Sequence, residues 1–366
     1  MTRNIIKYEY GVISRLLAEP YELSFATVKA VDSIWVFMED GNGCIGIGEA
    51  VPLPGYGVET TRSVQDCVAE LGRDIASLTD ELLREKCLAA KSRNPFAASA
   101  VMTALEFSAF ASKVKTIVPT PLTYPLSSKS NSEGLLNIIS NAIESGYRFF
   151  KMKIGNGVER DIESMRRAIK AFPEISYKIS FDANQAYSFQ EALQFCYALE
   201  GERSNRVFFV EEPLKNRDWE GMKKLCGETE VDFMLDESIY NLSDIERAKE
   251  IGCKAVKLKL FKHCGLENTL EMARKARGLG LRTIIGNGVS TDIGNLGEAL
   301  LISSDPDLFL NGAECNGYLK LQRSIIFKDL QNDDKGRLVW RGTGEDLPEQ
   351  FNRAINCFIN SVESTW

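Results

Sequence analysis

The order of apolar and polar positions divides the chain into two parts. The first part has short runs rich in β-branched and aromatic residues, which predict strands at residues 5–14 (IIKYEYGVIS), 25–31 (FATVKAV), 33–40 (SIWVFMED) and 44–51 (CIGIGEAV). Three stretches with helical spacing follow, beginning near Thr61, Asp80 and Pro95. Strands followed by helices predict an α+β unit over roughly the first 115 residues.

From about Val118 the pattern changes to short apolar runs that alternate with amphipathic helices. The eight predicted strands are TPLTYP (120–125), YRFFKMK (147–153), YKISFDA (177–183), RVFFVEE (206–212), VDFMLDE (231–237), CKAVKLK (253–259), LRTIIGN (281–287) and DLFLNGA (307–313). This repeat predicts a parallel (β/α) barrel, although a doubly wound open sheet has the same local pattern. We expect the barrel to span residues 118–324, and residues 1–117 to pack with about 325–366 as one capping domain across its mouth.

Composition narrows the class of protein. The 366 residues carry a net charge of −7, with 44% hydrophobic and 26% charged residues, which is typical of a soluble globular protein. The sequence has no basic run that would indicate nucleic-acid binding. It has no apolar stretch of the roughly 18 residues that a membrane span needs, and its opening MTRNIIKYEYGVIS lacks the apolar core of a signal peptide. We therefore expect a cytoplasmic protein with neither nucleic acid nor membrane as a partner.

Histidine and cysteine usage excludes several kinds of active site. One histidine, His263, cannot build a multi-histidine metal site, and a Ser-His-Asp triad is not indicated. We interpret His263 as a polar loop residue rather than a substrate contact. The nine cysteines are scattered singly without a C-x-x-C pair, which indicates reduced thiols. Acid–base chemistry must therefore use lysine, carboxylate, tyrosine or cysteine side chains.

Two glycine-rich segments resemble nucleotide or phosphate loops. Residues 41–46 (GNGCIG) satisfy G-x-G-x-x-G, but another strand follows where the dinucleotide motif requires a helix, so we interpret them as a hairpin turn. Residues 286–294 (GNGVSTDIG) follow the seventh predicted strand. They predict either a phosphate-binding loop or a loop that lines the substrate cavity.

Two lysines lie two residues apart in the apolar run 148–155 (RFFKMKIG). Side chains alternate between the faces of a strand, so Lys151 and Lys153 point to one face and Met152 to the other. Two ammonium groups on one face of a buried strand are costly unless anions lie opposite. The pattern therefore predicts carboxylates nearby.

Charged residues recur at the predicted carboxyl ends of successive strands, where the active site of a barrel lies. They are Lys151 and Lys153, Asp182, Glu211, Asp236, Lys259 and Glu314, in that order along the chain. Three carboxylates on consecutive strands with no sulfur or imidazole ligand are suited to Mg²⁺. The flanking lysines would balance the excess negative charge. Burial and mutual repulsion would lower their pKa, which makes a lysine a general base near neutral pH.

The motifs K-x-K (151–153), D-x-N (182–184), E-E-P (211–213), D-E-S (236–238) and K-L-K (257–259) together resemble the enolase superfamily. Within it they resemble the muconate-lactonizing subgroup of the mandelate racemase and muconate lactonizing enzyme family. The stretch GEAVPLPGYGVET (48–60) is similar to that of dipeptide epimerases. The resemblance covers nearly the whole chain and implies a (β/α)7β-type modified TIM barrel with an α+β capping domain, an α/β fold.

The resemblance also implies roles for individual residues. Asp182, Glu211 and Asp236 would bind Mg²⁺, with Asn184 and Glu237 beside them. Lys153 and Lys259 would exchange protons on opposite faces of a small carboxylate substrate, whose carboxylate Lys151 would help to neutralise. Loops near residues 20–24 and 52–56, including Tyr56, would close over the site, and we expect a homo-oligomer.

The eighth predicted strand limits the choice of substrate. Relatives that act on dipeptides carry an Asp-x-Asp pair there, whereas this chain has Glu314 and Asn316. Our first interpretation is a Mg²⁺-dependent racemase or epimerase that acts through an enediolate on a dipeptide or N-substituted amino acid. The alternative is a muconate-type cycloisomerase or a β-elimination enzyme similar to o-succinylbenzoate synthase. A metal-binding module without catalysis would not need the flanking lysines.

Overall fold

The computed structural model describes residues 5–22, 27–53 and 57–363. The strands are β1 (Ile5–Glu22), β2 (Thr27–Asp40), β3 (Ile45–Ala50), β4 (Thr120–Pro121), β5 (Thr123–Ser127), β6 (Phe149–Lys153), β7 (Lys178–Asp182), β8 (Val207–Glu211), β9 (Phe233–Leu235), β10 (Ala255–Leu258), β11 (Arg282–Ile285), β12 (Leu330–Asn332) and β13 (Arg337–Trp340). The helices are α1 (Thr61–Leu71), α2 (Asp80–Ala90), α3 (Pro95–Lys113), α4 (Ser132–Glu144), α5 (Val158–Lys170), α6 (Phe189–Gly201), α7 (Trp219–Glu228), α8 (Leu242–Glu250), α9 (Leu260–His263), α10 (Leu266–Gly278), α11 (Asp292–Ser304) and α12 (Leu347–Glu363).

An antiparallel sheet in the order β1-β2-β3 and the three helices α1 to α3 form the first part of the chain. The helices begin where the sequence predicts, at Thr61, Asp80 and Pro95. Two predicted strands are instead one, because β2 runs without interruption through Asp32 against a β1 that continues past Ser14. Continuous pairing with β1 supplies hydrogen-bond partners for the backbone around Asp32, so this polar residue does not end the strand.

A tight hairpin joins β2 to β3. Asp40 Oδ1 accepts the backbone N–H groups of Asn42 and Cys44, each at 2.9 Å, and Gly43 has a φ of +76°. The dinucleotide-like motif is therefore a turn, as the sequence indicates. The glycines of β3 serve packing, since a Cβ at Gly48 would lie 1.9 Å from the carbonyl oxygen of Ala100 in α3.

Seven parallel strands form the second sheet, in the order β11-β10-β9-β8-β7-β6-β5. The eighth predicted strand, residues 307–313, is irregular and begins within a short 3₁₀ helix, Pro306–Leu308. It still joins the two edges of the sheet. Leu310 N–H donates to Thr283 O of β11 at 2.8 Å, and Thr123 N–H of β5 donates to Ala313 O at 2.9 Å. The modified barrel is therefore confirmed, and the open-sheet alternative is wrong.

Two buried glutamates of the first part bind the first turns of barrel helices. Glu106 of α3 accepts the backbone N–H groups of Leu266 at 2.7 Å and Glu267 at 3.0 Å, and also pairs with Arg84. Glu49 of β3 accepts the backbone N–H of Thr291 at 2.9 Å. Negative charge at a helix N-terminus is stabilising, so these contacts fix the first part of the chain against α10 and α11.

The last helix lies against the first part of the chain. The ring of Phe358 in α12 contacts that of Trp35 in β2 at 5.4 Å between centroids, and Phe351 contacts Phe107 of α3 at 5.7 Å. The division into a capping domain and a barrel at residues 117 and 325 stays a prediction. No helix of the described residues is long and apolar enough to cross a membrane.

Candidate active site

The carboxyl ends of β6, β7 and β8 bring the predicted acidic and basic residues into one row. In the parallel register Lys153 lies opposite Asp182, and Asp182 lies opposite Glu211. Asp236 follows β9 directly. Parallel strands in register place their ends at the same level, so residues distant in sequence become neighbours here.

Lys153 is held by two groups from β7 and its following turn. Its Nζ lies 2.5 Å from Asp182 Oδ2 and 2.7 Å from Asn184 Oδ1. Asn184 has a φ of +44°, a conformation that asparagine tolerates better than most residues, and its N–H donates to Asp182 Oδ1 at 2.9 Å. Its side-chain amide reaches Glu237 Oε1 at 3.4 Å. Asn184 thus positions the lysine and links it to Glu237.

Lys151 lies deeper, among three carboxylates. Its Nζ is 2.5 Å from Glu314 Oε1, 3.1 Å from Asp182 Oδ2 and 3.8 Å from Glu211 Oε1. Burial alone would lower the pKa of Lys151, but these carboxylates outweigh it and raise the pKa well above its usual value. The expectation of a lowered pKa is therefore wrong for Lys151, because its anionic neighbours outnumber its cationic ones.

Lys259 occupies the position between β10 and α9. Its Nζ lies 2.5 Å from Asp236 Oδ2, and its backbone N–H donates to His263 Nδ1 at 3.1 Å. His263 is fully buried, and its Nε2 contacts the carbonyl oxygen of Ile239 at 3.2 Å. Burial lowers the pKa of His263 well below its usual value, so the ring is neutral. The interpretation of His263 as a polar loop residue is wrong, since it is a buried residue that fixes the backbone at Lys259.

Two lysines that the sequence analysis missed belong to the same cluster. Lys257, only 1% exposed, lies 2.5 Å from Glu211 Oε2 and 2.7 Å from Glu314 Oε1. Lys262 Nζ lies 2.5 Å from Asp236 O and 3.3 Å from its Oδ1. The signal for Lys257 was present: it is two residues from Lys259, the same spacing that identifies Lys151 and Lys153.

The end of the eighth segment contributes Glu314 and Asn316. Glu314 N–H donates to Ile285 O at 2.9 Å, which holds its side chain at the barrel mouth between Lys151 and Lys257. Asn316 donates its side-chain amide to Thr123 O at 3.2 Å. Both residues therefore lie in the site.

These residues surround an open cavity at the barrel mouth. Lys153 of β6 and Lys259 after β10 both line it, and their strands are separated by β7, β8 and β9 in the sheet order. Lys151, Asn184, Asp236, Glu314 and Asn316 also line it. Tyr56 and parts of the predicted loops 20–24 and 52–56 lie outside the described residues.

The loop at residues 286–294 lines the cavity through Asn287 and Gly288. Its second half begins α11, where the backbone N–H groups of Thr291 and Gly294 both donate to Glu49 Oε2 at 2.9 Å. A phosphate at this helix start would have to displace that carboxylate. The arrangement favours the cavity-lining alternative over the phosphate loop.

The acidic groups differ in their electrostatic environment. Burial opposes the charge of Asp182, but Lys153 and Lys151 outweigh it and hold the pKa of Asp182 far below its usual range. Burial and the nearby Asp182 raise the pKa of Glu211 to about 8. Asp182 and Glu211 therefore differ in pKa because both lie near Lys151 and the charge of one disfavours the charge of the other.

The donor set fits a hard cation. Asp182, Glu211 and Asp236 are buried carboxylates, and Glu211 Oε1 has no hydrogen-bond partner, which is costly for a buried oxygen. Among residues 5–22, 27–53 and 57–363, no three acidic, histidine or cysteine side chains converge as a metal cluster. Each of the three carboxylates has a lysine ammonium group as a partner. The residue types nevertheless suit Mg²⁺.

Comparison with protein families identifies the chain. Residues 137–339 match the family model described as "Enolase C-terminal domain-like". The chain belongs to the enolase superfamily. Within it the relatives support the mandelate racemase and muconate lactonizing group and a similarity to dipeptide epimerases. They support an enzyme of the isomerase class.

Individual relatives span most of the chain. An L-Ala-D/L-Glu epimerase of Clostridium acetobutylicum is 25% identical over 75% of this chain and 80% of its own length. An o-succinylbenzoate synthase of Listeria innocua is 27% identical over 70% of each. The structure of a dipeptide epimerase from Enterococcus faecalis complexed with Mg and the dipeptide L-Leu-L-Tyr has a TM-score of 0.80 at 21% identity. It covers 94% of this chain and 99% of that one, which shows a shared fold.

Proposed function

We propose that this enzyme of the superfamily is a Mg²⁺-dependent racemase or epimerase. It would remove the α-proton of a carboxylate substrate, an N-substituted amino acid or dipeptide, and return a proton to the opposite face. The observation that carries the proposal is the position of Lys153 and Lys259, which line one cavity from strands four places apart in the sheet.

The two lysines suit a two-base mechanism. The Nζ of one, as the neutral amine, takes the α-proton and becomes an ammonium; the other, as the ammonium, gives its proton to the other face of the carbon and becomes neutral. Asp182 holds Lys153 and Asp236 holds Lys259, each at 2.5 Å, so each lysine has its own anchoring carboxylate. A positioned proton-transfer group contributes about 10²–10⁴-fold to rate.

Removal of a proton next to a carboxylate requires strong charge stabilisation. Asp182, Glu211 and Asp236 would hold Mg²⁺, which when bound supplies Lewis-acid stabilisation of the negative charge that develops on the substrate carboxylate. Lys151 lies beside Asp182 and Glu211 and lines the same cavity, where its ammonium would contact that carboxylate. Its raised pKa keeps it cationic, which suits an electrostatic role and not proton transfer.

The alternative is a cycloisomerase or β-elimination enzyme that uses the same site. Two observations favour it. One relative is the o-succinylbenzoate synthase of Listeria innocua, and the cavity has Glu314 and Asn316 where an Asp-x-Asp pair would bind a substrate ammonium. One lysine would then be enough for proton transfer, and the product would be a new compound instead of a stereoisomer.

Incubation in D₂O with Mg²⁺ and a library of dipeptides and N-acyl amino acids tests the proposal. NMR should show loss of the α-proton signal together with appearance of the other stereoisomer, and chelation should stop both. Product formation without recovery of deuterated isomers would replace the racemase with the alternative. Full activity after exhaustive removal of divalent ions would contradict both.

A further inference from the structure

Two cysteine side chains from different elements meet away from the cavity. Cys226 Sγ lies 3.9 Å from Cys253 Sγ, although 27 positions along the chain separate them. Cys226 lies in the last turn of α7 and is partly exposed, whereas Cys253 lies just before β10 and is only 1% exposed. Lys259 follows the other end of β10. The sulfur pair therefore lies at the opposite end of this strand from the candidate active site.

The turn before β10 brings the two sulfur atoms together. Gly252 has a φ of +98°, and its N–H donates to Lys249 O at 3.1 Å where α8 ends. Cys253 N–H donates to Ala248 O at 3.0 Å. A Cβ at position 252 would lie 3.2 Å from Cys226 Cβ, so glycine gives α7 the room to come this near. The contact between the thiols is therefore built into the packing of α7 against this turn.

The two thiols differ in exposure and in acidity. Their contact lowers the pKa of Cys226 and raises the pKa of Cys253 well above its usual value. Burial opposes the lowering of the Cys226 pKa, and the nearby Lys254 adds to it. The thiolate is the reactive form of cysteine, and a neighbouring cation favours it. Cys226 is therefore suited to attack a reagent that arrives from solvent, and Cys253 is placed behind it.

We propose that Cys226 and Cys253 form a site of reversible thiol–disulfide exchange with a small soluble disulfide, and that oxidation links the end of α7 to the start of β10. The Cys226 thiolate attacks one sulfur of the small disulfide, forms a mixed disulfide and releases one thiol. Cys253 gives up its proton and attacks Cys226 Sγ, which closes the protein disulfide and releases the second thiol. Two protein thiols are thereby oxidised, and one small disulfide is reduced to two thiols.

The cross-link would close a loop that holds part of the barrel. Residues 226–253 contain β9, α8 and Asp236, which follows β9 directly. A cross-link between the ends of such a loop lowers the conformational entropy of the unfolded chain. The oxidised protein should therefore be more stable than the reduced protein, so that the site couples stability to redox conditions.

Peptide mapping of the wild-type protein tests the proposal, with oxidised glutathione as the probe. The two cysteines lie in separate tryptic peptides, residues 225–247 and 250–254. After oxidation and alkylation of the remaining thiols, mass spectrometry should show these two peptides joined with the loss of two hydrogen atoms. Dithiothreitol should separate them again.

Exposed Cys44 is the internal check that the reagent reacts. The concentration of oxidised glutathione is raised until Cys44 carries a glutathionyl group. If peptide 225–247 is then still not joined to peptide 250–254, whether Cys226 is free or carries glutathione, the proposal is overturned.

Single serine variants test the order of the two steps. Cys253→Ser should accumulate the mixed disulfide on Cys226, because the second step lacks its nucleophile. Cys226→Ser should leave the buried Cys253 unmodified under the same conditions. The reverse pattern would overturn the assignment of Cys226 as the attacking thiol. The wild-type peptide map decides the proposal even where a variant fails to fold.

Thermal unfolding tests the coupling to stability. Oxidation should raise the Tm of the wild-type protein by roughly 3 °C, as expected for a loop of this length in a chain of this size. Cys226→Ser treated in the same way is the control and should show no rise. Equal Tm values for the oxidised and reduced wild-type protein would overturn the stabilising role of the cross-link.

Discussion

Lys257 Nζ lies 2.5 Å from Glu211 Oε2, and both side chains are almost fully removed from solvent. The lysine therefore neutralises one of the three carboxylates that would bind Mg²⁺. An ammonium group and a divalent ion at the same carboxylate compete, because the two cations repel each other and each weakens the attraction of the carboxylate for the other.

Removal of the Lys257 charge should strengthen metal binding. Lys257→Met keeps much of the side-chain volume and leaves Glu211 free to bind the ion, so we expect Mg²⁺ affinity to rise at least tenfold by isothermal titration. The metal-free variant should be less stable, because breaking a buried pair costs about 3–5 kcal/mol. Lys254→Met, at an exposed position just before the same strand, is the control. Unchanged or weaker Mg²⁺ binding by Lys257→Met would show that the two cations do not compete.

Loss of a proposed ligand should have the opposite effect. Asp236→Asn removes a charge that attracts the ion and also the partner of Lys259. We expect Mg²⁺ affinity to fall at least 100-fold by titration. Asp232→Asn is the control. Asp232 precedes the same strand, lies 2.5 Å from Arg282 and does not line the cavity, so this variant should bind Mg²⁺ as the wild type does. Equal affinities for the two variants would remove Asp236 from the metal site.

Glu106 should make a measurable contribution to stability. Glu106→Ala leaves the N–H groups of Leu266 and Glu267 without their acceptor and Arg84 without its partner. We expect the free energy of unfolding to fall by about 2 kcal/mol or more in urea denaturation. Glu106→Gln retains an acceptor oxygen and should lose less. Equal stability of the alanine variant and the wild type would mean that this contact does not hold α3 to α10.

Glu298 should make stability depend on pH. It is buried and accepts a hydrogen bond from the side-chain amide of Asn287 at 3.3 Å, and burial raises its pKa from 4.5 to about 8. Between these values the folded state keeps a proton that the unfolded state releases, so the free energy of unfolding falls as pH rises. Glu298→Gln removes this loss, and its stability relative to the wild type should improve by a few kcal/mol between pH 5 and pH 8.

Chemical denaturation at the two pH values, with exposed Glu271→Gln as the control, measures this change. The control should follow the wild type at both pH values. A parallel pH dependence of Glu298→Gln and the wild type would mean that Glu298 is ionised in the folded protein throughout this range.

Strand periodicity predicts the barrel and most of the candidate site because strand ends are encoded locally. The rule of alternation places Lys151 and Lys153 together, and the order of strands brings Asp182 and Glu211 into register with them. The same rule applied to residues 257 and 259 would have found Lys257.

Other features depend on contacts between distant segments and leave no local pattern. Glu49 lies in an apolar strand, yet it binds the start of α11, which is 242 residues away. The eighth segment is irregular, yet its backbone bonds to both β11 and β5, a closure that only the folded barrel brings about. The raised pKa of Lys151 depends on Glu211, Glu314 and Asp182 together, which no single motif contains.

The central claim is that Lys153 and Lys259 act on opposite faces of one α carbon. The measurement is hydrogen–deuterium exchange of each purified substrate stereoisomer by Lys153→Ala and by Lys259→Ala, with Mg²⁺ affinity measured for both variants to show that the site is intact. Each variant should lose exchange of a different isomer by at least about 100-fold, and both should lose interconversion. Interconversion by Lys259→Ala at near wild-type rate would contradict the two-base mechanism.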